Sequence, residues 1–558
     1  MKRLVLRGLT VLYPLGFAFA PILALYANNA ATFGLGVVRA PTLYAGLGTL
    51  AVLALALLRL RDLRKAAVVT AYFSILFFSH GHFQRFAIDL GVAPWLAGWL
   101  LLVLGTALAV AGTLGVARAP QVRLLTRVLS IASVAMLALP VVYIATFELA
   151  TRRSARRALD SLDVDTPIAR VSRATLPDIY YIVLDGYGRE DILRELFEHD
   201  NASFVAFLQS RGFHVAGEAR SNYSQTALAM ASVFNMDYVQ NLVVTRPRFS
   251  DLGPVRDRIR DNRIVSQLRK LGYTIVTFSS ATDIVQIQSP DIQFQGHSLD
   301  EFRVGVLELT PVPVLAGRLG TRSSLPLEPY RAHHANVHFK FEQLQNLSAY
   351  KRPLFVYAHF LCPHPPFVFD AQGGFRDPRR AYTIRERDWI DGYRDGYRQQ
   401  VQFVNARLRA TVDAILSRSP HPPVIVLQSD HGPASGWLAF WNRNGHWLTQ
   451  EPEAVRERMG VLYAMHVPGW DASALGARTS LVNTFRVVMN ACFGTQLELL
   501  PDHAYFSGYD SPYNFLQVDA LLDVDGGDAM GDADADSTGG AFGAEAAARD
   551  SAGAATKR

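Results

Sequence analysis

The chain has 558 residues, of which 50% are hydrophobic and 19% are charged, and its formal net charge is +6. A chain of this length has room for roughly three or four domains, so core size is not limiting. The charged fraction lies below the roughly 25% usual for soluble proteins, which predicts that part of the chain lies in lipid. Two cysteines exclude a disulfide framework, and the absence of a C-x-x-C unit argues against structural zinc.

Five apolar stretches precede residue 150. They are about Leu9–Tyr26, Pro41–Leu58, Ala66–Phe78, Trp95–Val116 and Val128–Phe147. Most of them approach the ~20 residues that cross a bilayer, and the third is the shortest. The sequence therefore predicts a five-helix transmembrane domain over residues 1–150.

Basic residues cluster beside these stretches, which membrane topology explains better than nucleic-acid binding. Clusters around Lys2, Arg61 and Arg123 lie before the first stretch, after the second and after the fourth. The positive-inside rule places these three clusters in the cytoplasm, whereas the cluster at Arg152–Arg157 opposes that orientation. We predict a multi-pass protein of the cytoplasmic (inner) membrane, with everything after residue 150 on the periplasmic or extracellular side and no nucleic-acid partner.

The remainder of the chain divides into three segments. Residues 151–174 are rich in Arg and Ser and predict a linker. In residues 175–518 short apolar runs alternate with amphipathic segments, which predicts a doubly wound, mostly parallel α/β sheet with helices on both faces. Residues 519–558 form an acidic tail rich in Gly and Ala that buries too little surface to fold, and we predict that it is disordered.

The apolar runs predict five buried strands. These are Asp178–Leu184, Tyr273–Phe278, Leu354–His359, Val424–Leu427 and Val461–His466. Three segments between them have the pattern of helices. These are Ala202–Arg211, Arg256–Leu271 and Tyr393–Arg418.

Polar residues follow several of the predicted strands, and the carboxyl ends of strands form the active sites of open α/β sheets. Asp185 follows the first strand, and Asp430 and His431 follow the fourth. His359 ends the third strand and His364 comes shortly after it. Carboxylates and imidazoles are ligands for Zn²⁺ or Mn²⁺, and carboxylates also suit Mg²⁺. Taken alone, the Asp-His-Gly motif could also be an ordinary turn without a metal-binding role.

A hydroxyl-rich segment, residues 221–232, leads into an apolar helix and contains Ser224 and Thr226. A Ser or Thr at a helix start is most often a cap. The positive end of a helix also attracts anions, which suits a nucleophile in phosphoryl transfer. A metal ion beside the hydroxyl would lower its pKa enough for attack near neutral pH.

The order of these motifs resembles the alkaline phosphatase superfamily. The motifs are Asp-Gly after the first strand, hydroxyls on a following helix, a Pro-His-Pro-Pro loop at residues 363–366 and Ser-Asp-His-Gly at residues 429–432. Within that superfamily the chain is most similar to sulfatase-like, membrane-anchored enzymes such as phosphoethanolamine transferases and lipoteichoic acid synthases. The C/S-x-P-S-R motif of true sulfatases is absent, which disfavours sulfate-ester hydrolysis.

The resemblance implies roles for individual residues. Asp185, Asp430 and His431 would hold one divalent metal ion, and Thr226, itself a ligand, would be the covalent nucleophile, with Ser224 as the alternative. His364 would contact the transferred group and protonate or orient the departing oxygen. Two further histidines are weaker substrate candidates, each with a structural role as its alternative. These are His359 and His466.

The activity that the resemblance implies is a metal-dependent transfer of a phospho-substituent through a Thr or Ser phospho-enzyme. The substrate would be a membrane lipid or an envelope glycan outside the cytoplasmic membrane. Two alternatives stay open: a phosphodiesterase or phosphatase that uses water as the acceptor, and a catalytically inactive envelope scaffold.

Overall fold

The computed structural model describes most of the chain. The described ranges are residues 2–30, 33–159, 176–243, 251–280, 282–296, 301–319, 329–347, 349–380, 382–436, 451–470 and 475–523. Residues 524–558, most of the predicted tail, lie outside them.

Five long helices form the N-terminal part. They are α1 (Lys2–Asn28), α2 (Arg39–Leu60), α3 (Leu63–Asp89), α4 (Pro94–Arg118) and α5 (Arg123–Leu159). Within the described residues, four stretches are long and apolar enough to cross a membrane. These are Leu35–Leu60, Leu63–Asp89, Trp95–Arg118 and Arg123–Leu149. The first predicted span lies in α1, outside these four, so the number of five spans and their orientation stay predictions.

The helix α1 occupies the inside of this bundle. It contacts α2, α3 and α5 and buries Tyr13, Phe17 and Ile22. The helix α3 is also an inner helix, since 56% of its most apolar window is buried. Protein contacts replace lipid along α3, which explains why its apolar run in the sequence is short although the helix has 27 residues.

A seven-stranded sheet forms the second part. Its strands are β1 (Ile179–Leu184), β2 (His214–Val215), β3 (Thr274–Phe278), β4 (Ile292–Phe294), β5 (Leu354–Phe360), β6 (Val424–Gln428) and β7 (Tyr463–His466), in the order β2-β7-β6-β1-β5-β3-β4. The strands from β6 to β4 are parallel, whereas β7 is antiparallel to both β6 and β2. All five predicted strands are present, and the mostly parallel α/β fold is confirmed.

Thirteen α-helices and a hairpin complete the described part of this region. The helices are α6 (Glu190–Phe197), α7 (Ala202–Ser210), α8 (Thr226–Asn235), α9 (Val239–Leu242), α10 (Gly253–Arg260), α11 (Arg263–Lys270), α12 (Glu301–Glu308), α13 (Val312–Leu319), α14 (Pro329–Leu344), α15 (Tyr393–Arg418), α16 (Pro452–Met459), α17 (Thr484–Phe493) and α18 (Asp519–Leu522). The hairpin consists of β8 (Tyr505–Gly508) and β9 (Ser511–Gln517).

Helices cover both faces of the sheet. The odd-numbered residues of β1 join one hydrophobic cluster with α8 and α17, and the even-numbered residues join a second cluster with α14 and α15. Because successive side chains of a strand point to opposite faces, a strand between two helical layers is apolar throughout. This explains the continuous apolar run from Ile179 to Leu184, every residue of which is buried.

Three predicted boundaries differ from the structure. The helix predicted over Arg256–Leu271 is two helices, because the Asn262 side chain accepts a hydrogen bond from Val265 N (2.9 Å) and caps a new helix there. The helix α5 runs to Leu159, so the predicted linker begins as a helix. The predicted disordered tail also begins as a helix, since α18 packs against α16.

The bundle and the α/β region are joined by direct contacts. Arg256 donates from Nη1 to the carbonyl oxygens of Ala30 (2.8 Å) and Phe33 (2.6 Å). Gly81 N donates to Leu309 O (3.1 Å), and a Cβ at Gly81 would lie only 1.8 Å from Glu308 O. Only glycine permits this close approach of two backbones, which fixes the end of α12 against α3.

Candidate active site

The segment after β1 places Asp185 at the carboxyl edge of the sheet. Asp185 N donates to Phe360 O (2.9 Å), and Asp185 O accepts from His364 N (3.0 Å). These two backbone bonds tie the end of β1 to the end of β5 and to the loop that follows it. Asp185 and His364 are thereby held on one rim, as the sequence predicts.

The segment after β6 is fixed by the hydroxyl of Ser429. It accepts from Tyr187 N (2.8 Å) and lies 2.7 Å from Leu184 O and 2.6 Å from His431 O. The segment then passes close to α16, because a Cβ at Gly432 would lie 2.1 Å from Glu457 O. Only glycine fits at position 432, and the close packing that it permits lets Asp430 and His431 face Asp185.

Two carboxylates and an imidazole converge at this edge. One ligand atom from each of Asp185, His359 and Asp430 lies within 4.8 Å of the others. The atoms Asp185 Oδ1, His359 Nε2 and Asp430 Oδ2 are buried and have no hydrogen-bond partner among the described residues. Leaving three buried polar atoms unsatisfied is costly, and a cation between them would satisfy all three. The donor set fits Zn²⁺ or Mn²⁺.

His431 borders this cluster. Its Nε2 lies 3.5 Å from Asp185 Oδ1 and 3.4 Å from Asp430 Oδ2. His359, which the sequence suggests as a substrate contact, lies deeper in the sheet, with its Nε2 3.8 Å from Asp185 Oδ2. The geometry thus adds His359 to the candidate ligands and leaves it buried beneath the site.

Thr226 and Ser224 occupy different environments. Thr226 is the first residue of α8 and is half-buried, and its Oγ1 lies 3.0 Å from His431 Nε2. Ser224 precedes the helix and is buried, with its Oγ 3.3 Å from both the N and the O of Ser507. Of these two hydroxyls, that of Thr226 contacts His431.

The proton on His431 can be assigned from its surroundings. Its Nδ1 lies 3.0 Å from Gly432 O, so this nitrogen carries the hydrogen and Nε2 presents a lone pair toward Thr226. Burial, reinforced by the charge of Arg458, lowers the pKa of His431 to about 4. The ring is therefore neutral near pH 7 and can accept a proton or bind a cation.

His364 has the opposite protonation. Burial alone would lower its pKa, but the negative charges of Asp185 and Glu386 outweigh burial and raise the pKa to about 9. Its Nδ1 lies 2.6 Å from Pro365 O and its Nε2 lies 3.3 Å from Glu386 Oε1. Both ring nitrogens thus face acceptors, and the ring carries a positive charge near neutral pH.

The sequence offers no signal for two further residues of the site, Glu386 and Arg458. Both are buried, and Arg458 Nη1 lies 2.6 Å from Glu386 Oε1. Arg458 also donates from Nε to Ser224 O (2.8 Å) and from Nη1 to Gly432 O (3.2 Å). It therefore holds together the segment that carries the hydroxyl and the segment that carries His431.

His466 lies far from this cluster. It is the last residue of β7 and pairs with Ile425 near the amino end of β6, where its Nδ1 lies 2.9 Å from Pro423 O. Because β7 runs antiparallel to β6, its carboxyl end lies at the opposite edge of the sheet. The suggested substrate role for His466 is therefore incompatible with its position.

No protein-family model and no curated protein matches the chain. Several solved structures are similar to it. The C-terminal periplasmic domain of EcEptC from Escherichia coli, in complex with Zn, is 11% identical with a TM-score of 0.41, over 64% of this chain and 97% of that chain.

Two further similar structures are each 14% identical with a TM-score of 0.37. One is the integral membrane lipooligosaccharide phosphoethanolamine transferase A from Neisseria meningitidis, over 87% of this chain and 95% of that chain. The other is the lipoteichoic acid synthase LtaP from Listeria monocytogenes, over 63% of this chain and 83% of that chain. These proteins belong to the groups that the sequence motifs resemble. We nevertheless infer the function from the side chains of the site itself.

The ion pair of Arg458 and Glu386 yields a test of the site's architecture. Glu386→Gln leaves the buried guanidinium without its charge partner, and we expect it to lower the free energy of unfolding by about 3 kcal/mol. The matched control is Asp413→Asn, which removes the partner of Arg211 in an ion pair that is 40% and 47% exposed. Urea unfolding of the full chain in detergent measures both. Equal, small effects would show that Arg458 is not held by its charge partner.

Proposed function

We propose that the chain is a membrane-anchored, metal-dependent enzyme that transfers a phospho-substituent through a covalent phospho-enzyme on Thr226. One observation carries the proposal. A half-buried hydroxyl at a helix start lies 3.0 Å from His431 Nε2, beside two buried carboxylates and an imidazole, each of which has one polar atom without a hydrogen-bond partner among the described residues.

The residues that would hold the metal ion are Asp185, His359 and Asp430, with His431 and Thr226 beside them. A bound divalent ion would stabilise negative charge on the phosphate oxygens and favour the ionised form of the hydroxyl. The sequence assigns His431 to the ligands by resemblance. The structure supports adding His359, because its Nε2 faces the carboxylates and has no hydrogen-bond partner in the part of the chain that the structure describes.

The first step of the proposed reaction forms a bond between Thr226 Oγ1 and phosphorus. The hydroxyl proton passes to a base, and the neutral Nε2 of His431 is within reach to accept it. The position of Thr226 at the N-terminus of α8 adds the positive end of a helix dipole, which favours an anionic substrate there.

The same step breaks the bond between phosphorus and the leaving oxygen. His364 carries a proton near neutral pH and lies on the same rim, with its ring centroid 6.2 Å from that of His431. It is therefore placed to donate that proton to the departing oxygen, as the resemblance implies. In the second step an acceptor hydroxyl attacks phosphorus and gives its proton to His364, while the bond to Thr226 breaks and His431 returns its proton to Thr226 Oγ1, so both histidines regain their starting states.

The four apolar stretches of the bundle support a substrate in or near the membrane. We propose a membrane lipid or an envelope glycan, with the reaction on the outer side of the cytoplasmic membrane. A hydrolase would use water as the acceptor in the second step. Product analysis with and without an added alcohol acceptor separates a transferase from a hydrolase.

The nucleophile is tested by exchanging the two hydroxyl residues. Thr226→Ala removes the attacking oxygen, and we expect turnover of a phosphodiester substrate to fall at least about a thousandfold. Thr226→Ser retains a hydroxyl and should keep measurable activity. In the unaltered chain, mass spectrometry of the trapped intermediate should locate the phosphoryl group on Thr226.

The control for this experiment is Ser224→Ala. Ser224 bonds the backbone of Ser507 and not the site, so this variant should retain much of the activity. A phosphorylated Ser224, or full activity of Thr226→Ala, would reverse the assignment. The absence of any adduct together with the absence of turnover would favour the inactive scaffold.

The metal ligands are tested by the metal content of the purified chain. Asp430→Asn and His359→Gln each remove a ligand, and we expect each to weaken binding of the divalent ion by at least about ten- to a hundredfold. His466→Gln is the matched control, since this histidine lies at the opposite edge of the sheet. Elemental analysis gives the result. If only Asp430→Asn loses bound metal, His359 has a structural role. If neither variant loses bound metal, the proposed metal site is wrong.

The orientation is tested with reporter fusions after Leu159, at the end of α5. We expect an alkaline phosphatase fusion there to be active and a fluorescent-protein fusion to be dark, because three basic clusters keep the intervening loops in the cytoplasm. The control is the same pair of fusions after Arg61, between α2 and α3, where the outcome should be the reverse. Fluorescence after Leu159 would reject both the outer location and an outward-facing substrate.

A further inference from the structure

The helix α14 carries two histidines, His334 and His338, at positions i and i+4. Residues at this spacing are neighbours on one face of a helix. Both side chains are half-buried, and their ring centroids are 4.6 Å apart. The H-E-x-x-H motif uses the same spacing to present two imidazoles to a zinc ion. The segment here has Ala335 in place of the glutamate of that motif, so the comparison concerns the spacing of the ligands and not the catalysis.

Both rings point to one backbone oxygen. His334 Nε2 lies 3.0 Å from Gly373 O, and His338 Nε2 lies 3.1 Å from the same atom. One donor satisfies a carbonyl group, so hydrogen bonding alone does not require the second ring. Two ligand atoms that lie about 2.1 Å from a metal ion and at right angles to each other are about 3.0 Å apart. The spacing therefore fits two imidazoles and a carbonyl oxygen around one octahedral or tetragonal ion.

A tight turn holds this oxygen in place. Asp370 Oδ1 accepts hydrogen bonds from Gln372 N (3.0 Å) and Gly374 N (2.7 Å), and Asp370 O accepts one from Gly373 N (3.1 Å). Gly373 has a φ of +89°, and a Cβ there would lie 2.8 Å from the ring of Phe403. Both features require glycine. The direction of the Gly373 carbonyl is thus set by the fold before any ligand binds.

Aromatic packing orients the two imidazoles as well. The ring of His334 stacks on Phe369 with 4.5 Å between centroids and 23° between planes. The ring of His338 meets Phe403 edge to face, at 5.2 Å and 66°. Phe369 and Phe403 stack on each other at 4.2 Å. Ligands whose rotamers are locked by packing lose little freedom when they bind, so the arrangement is preorganised.

This cluster is separate from the proposed catalytic centre. Lys340 follows His338 by two positions, so it lies on a different face of α14, and it donates to His359 O (2.7 Å). The turn that carries Gly373 follows the loop of His364 along the chain. An ion bound by the cluster would join α14 to the segment after His364 without using any residue of the catalytic centre.

We propose that His334, His338 and the carbonyl oxygen of Gly373 bind a divalent transition-metal ion, with water in the open positions. Nitrogen and oxygen ligands in tetragonal geometry suit Cu²⁺ and Ni²⁺, and imidazoles also bind Zn²⁺. The negative charge of Asp370 acts on His334 and favours a cation there, against the opposing charge of Arg331. This metal site does not depend on the function proposed above.

The test measures Cu²⁺ binding to the full chain in detergent, purified without a histidine tag. The starting variant is Asp430→Asn, which weakens the proposed catalytic metal site and leaves the histidine pair intact. After dialysis against buffered Cu²⁺, we expect elemental analysis to find about one bound ion per chain at the pair. The electron paramagnetic resonance spectrum should show nitrogen splitting from two coordinated imidazoles.

The ligands are tested by adding His334→Gln or His338→Gln to this variant. A glutamine amide can still donate to Gly373 O, so the turn keeps a hydrogen-bond partner while an imidazole is lost. We expect either substitution to weaken Cu²⁺ binding by at least about ten- to a hundredfold and to remove the two-imidazole signal. The matched control is His214→Gln, because His214 Nε2 also lies 3.0 Å from a backbone oxygen, that of Gly476. This control should leave binding unchanged.

Two results would overturn the proposal. Unchanged Cu²⁺ binding in both histidine variants would show that the pair serves only as hydrogen-bond donors to the turn. A loss of the same size in His214→Gln would show unspecific binding to surface histidines. Turnover of a phosphodiester by the unaltered chain is read separately. If turnover is absent while the pair binds its ion, the catalytic proposal fails and this metal site stands.

Discussion

Two buried carboxylates, Asp185 and Asp430, meet at the carboxyl edge of the sheet, and the surrounding groups are arranged around their charges. Burial, together with the charge of Asp430, raises the pKa of Asp185 well above its usual range. For Asp430 burial acts in the same direction, but His431, His359 and the hydroxyl of Thr226 outweigh it and lower the pKa. Without a cation, the pair can hold its two negative charges together only at a high energetic cost. A divalent ion would remove this conflict and would satisfy Asp185 Oδ1 and Asp430 Oδ2, which have no hydrogen-bond partner among the described residues.

A second charged pair gives this centre its shape. Arg458 is the largest fully buried side chain among the described residues, and its charge is balanced by Glu386. Its bonds to Ser224 O and Gly432 O connect segments more than two hundred residues apart in the sequence. Glu386 in turn contacts His364 and supports its positive charge. Hence one ion pair positions the proposed nucleophile, the proposed base and the proposed acid.

Sequence reasoning locates the residues that follow parallel strands, because the edge of the sheet is set by strand direction. Four predicted site residues follow parallel strands in this way: Asp185, His364, Asp430 and His431. The sequence does not show which of Thr226 and Ser224 faces the site, because the answer depends on where the helix begins. The helix α8 begins at Thr226, so the hydroxyl of Thr226 faces the site and that of Ser224 bonds β8.

The failures of the sequence reading also have physical causes. The contact of Glu386 with Arg458 spans 72 residues and depends on tertiary packing alone. The sequence leaves both roles of His466 open, because an apolar run does not tell a parallel strand from an antiparallel one, and the direction decides at which edge the last residue lies. The single helix predicted over Arg256–Leu271 fails because the cap at Asn262 outweighs a periodic pattern that continues across it.

The membrane bundle and the α/β region meet at α12, where several constraints coincide. The absence of a side chain at Gly81 allows α3 to touch the backbone at Glu308 and Leu309. Glu308 is held between Arg85 of the bundle and the attraction of Arg385, which precedes Glu386 in the chain. Burial nevertheless raises the pKa of Glu308, so its charge depends on both arginines. Because Glu308 interacts with both Arg85 of α3 and Arg385, it connects the bundle to the segment that precedes Glu386. The short path from α3 through Glu308 to Arg385, and from Glu386 to His364, therefore connects the proposed acid to the bundle, an arrangement that suits the membrane substrate proposed for this chain.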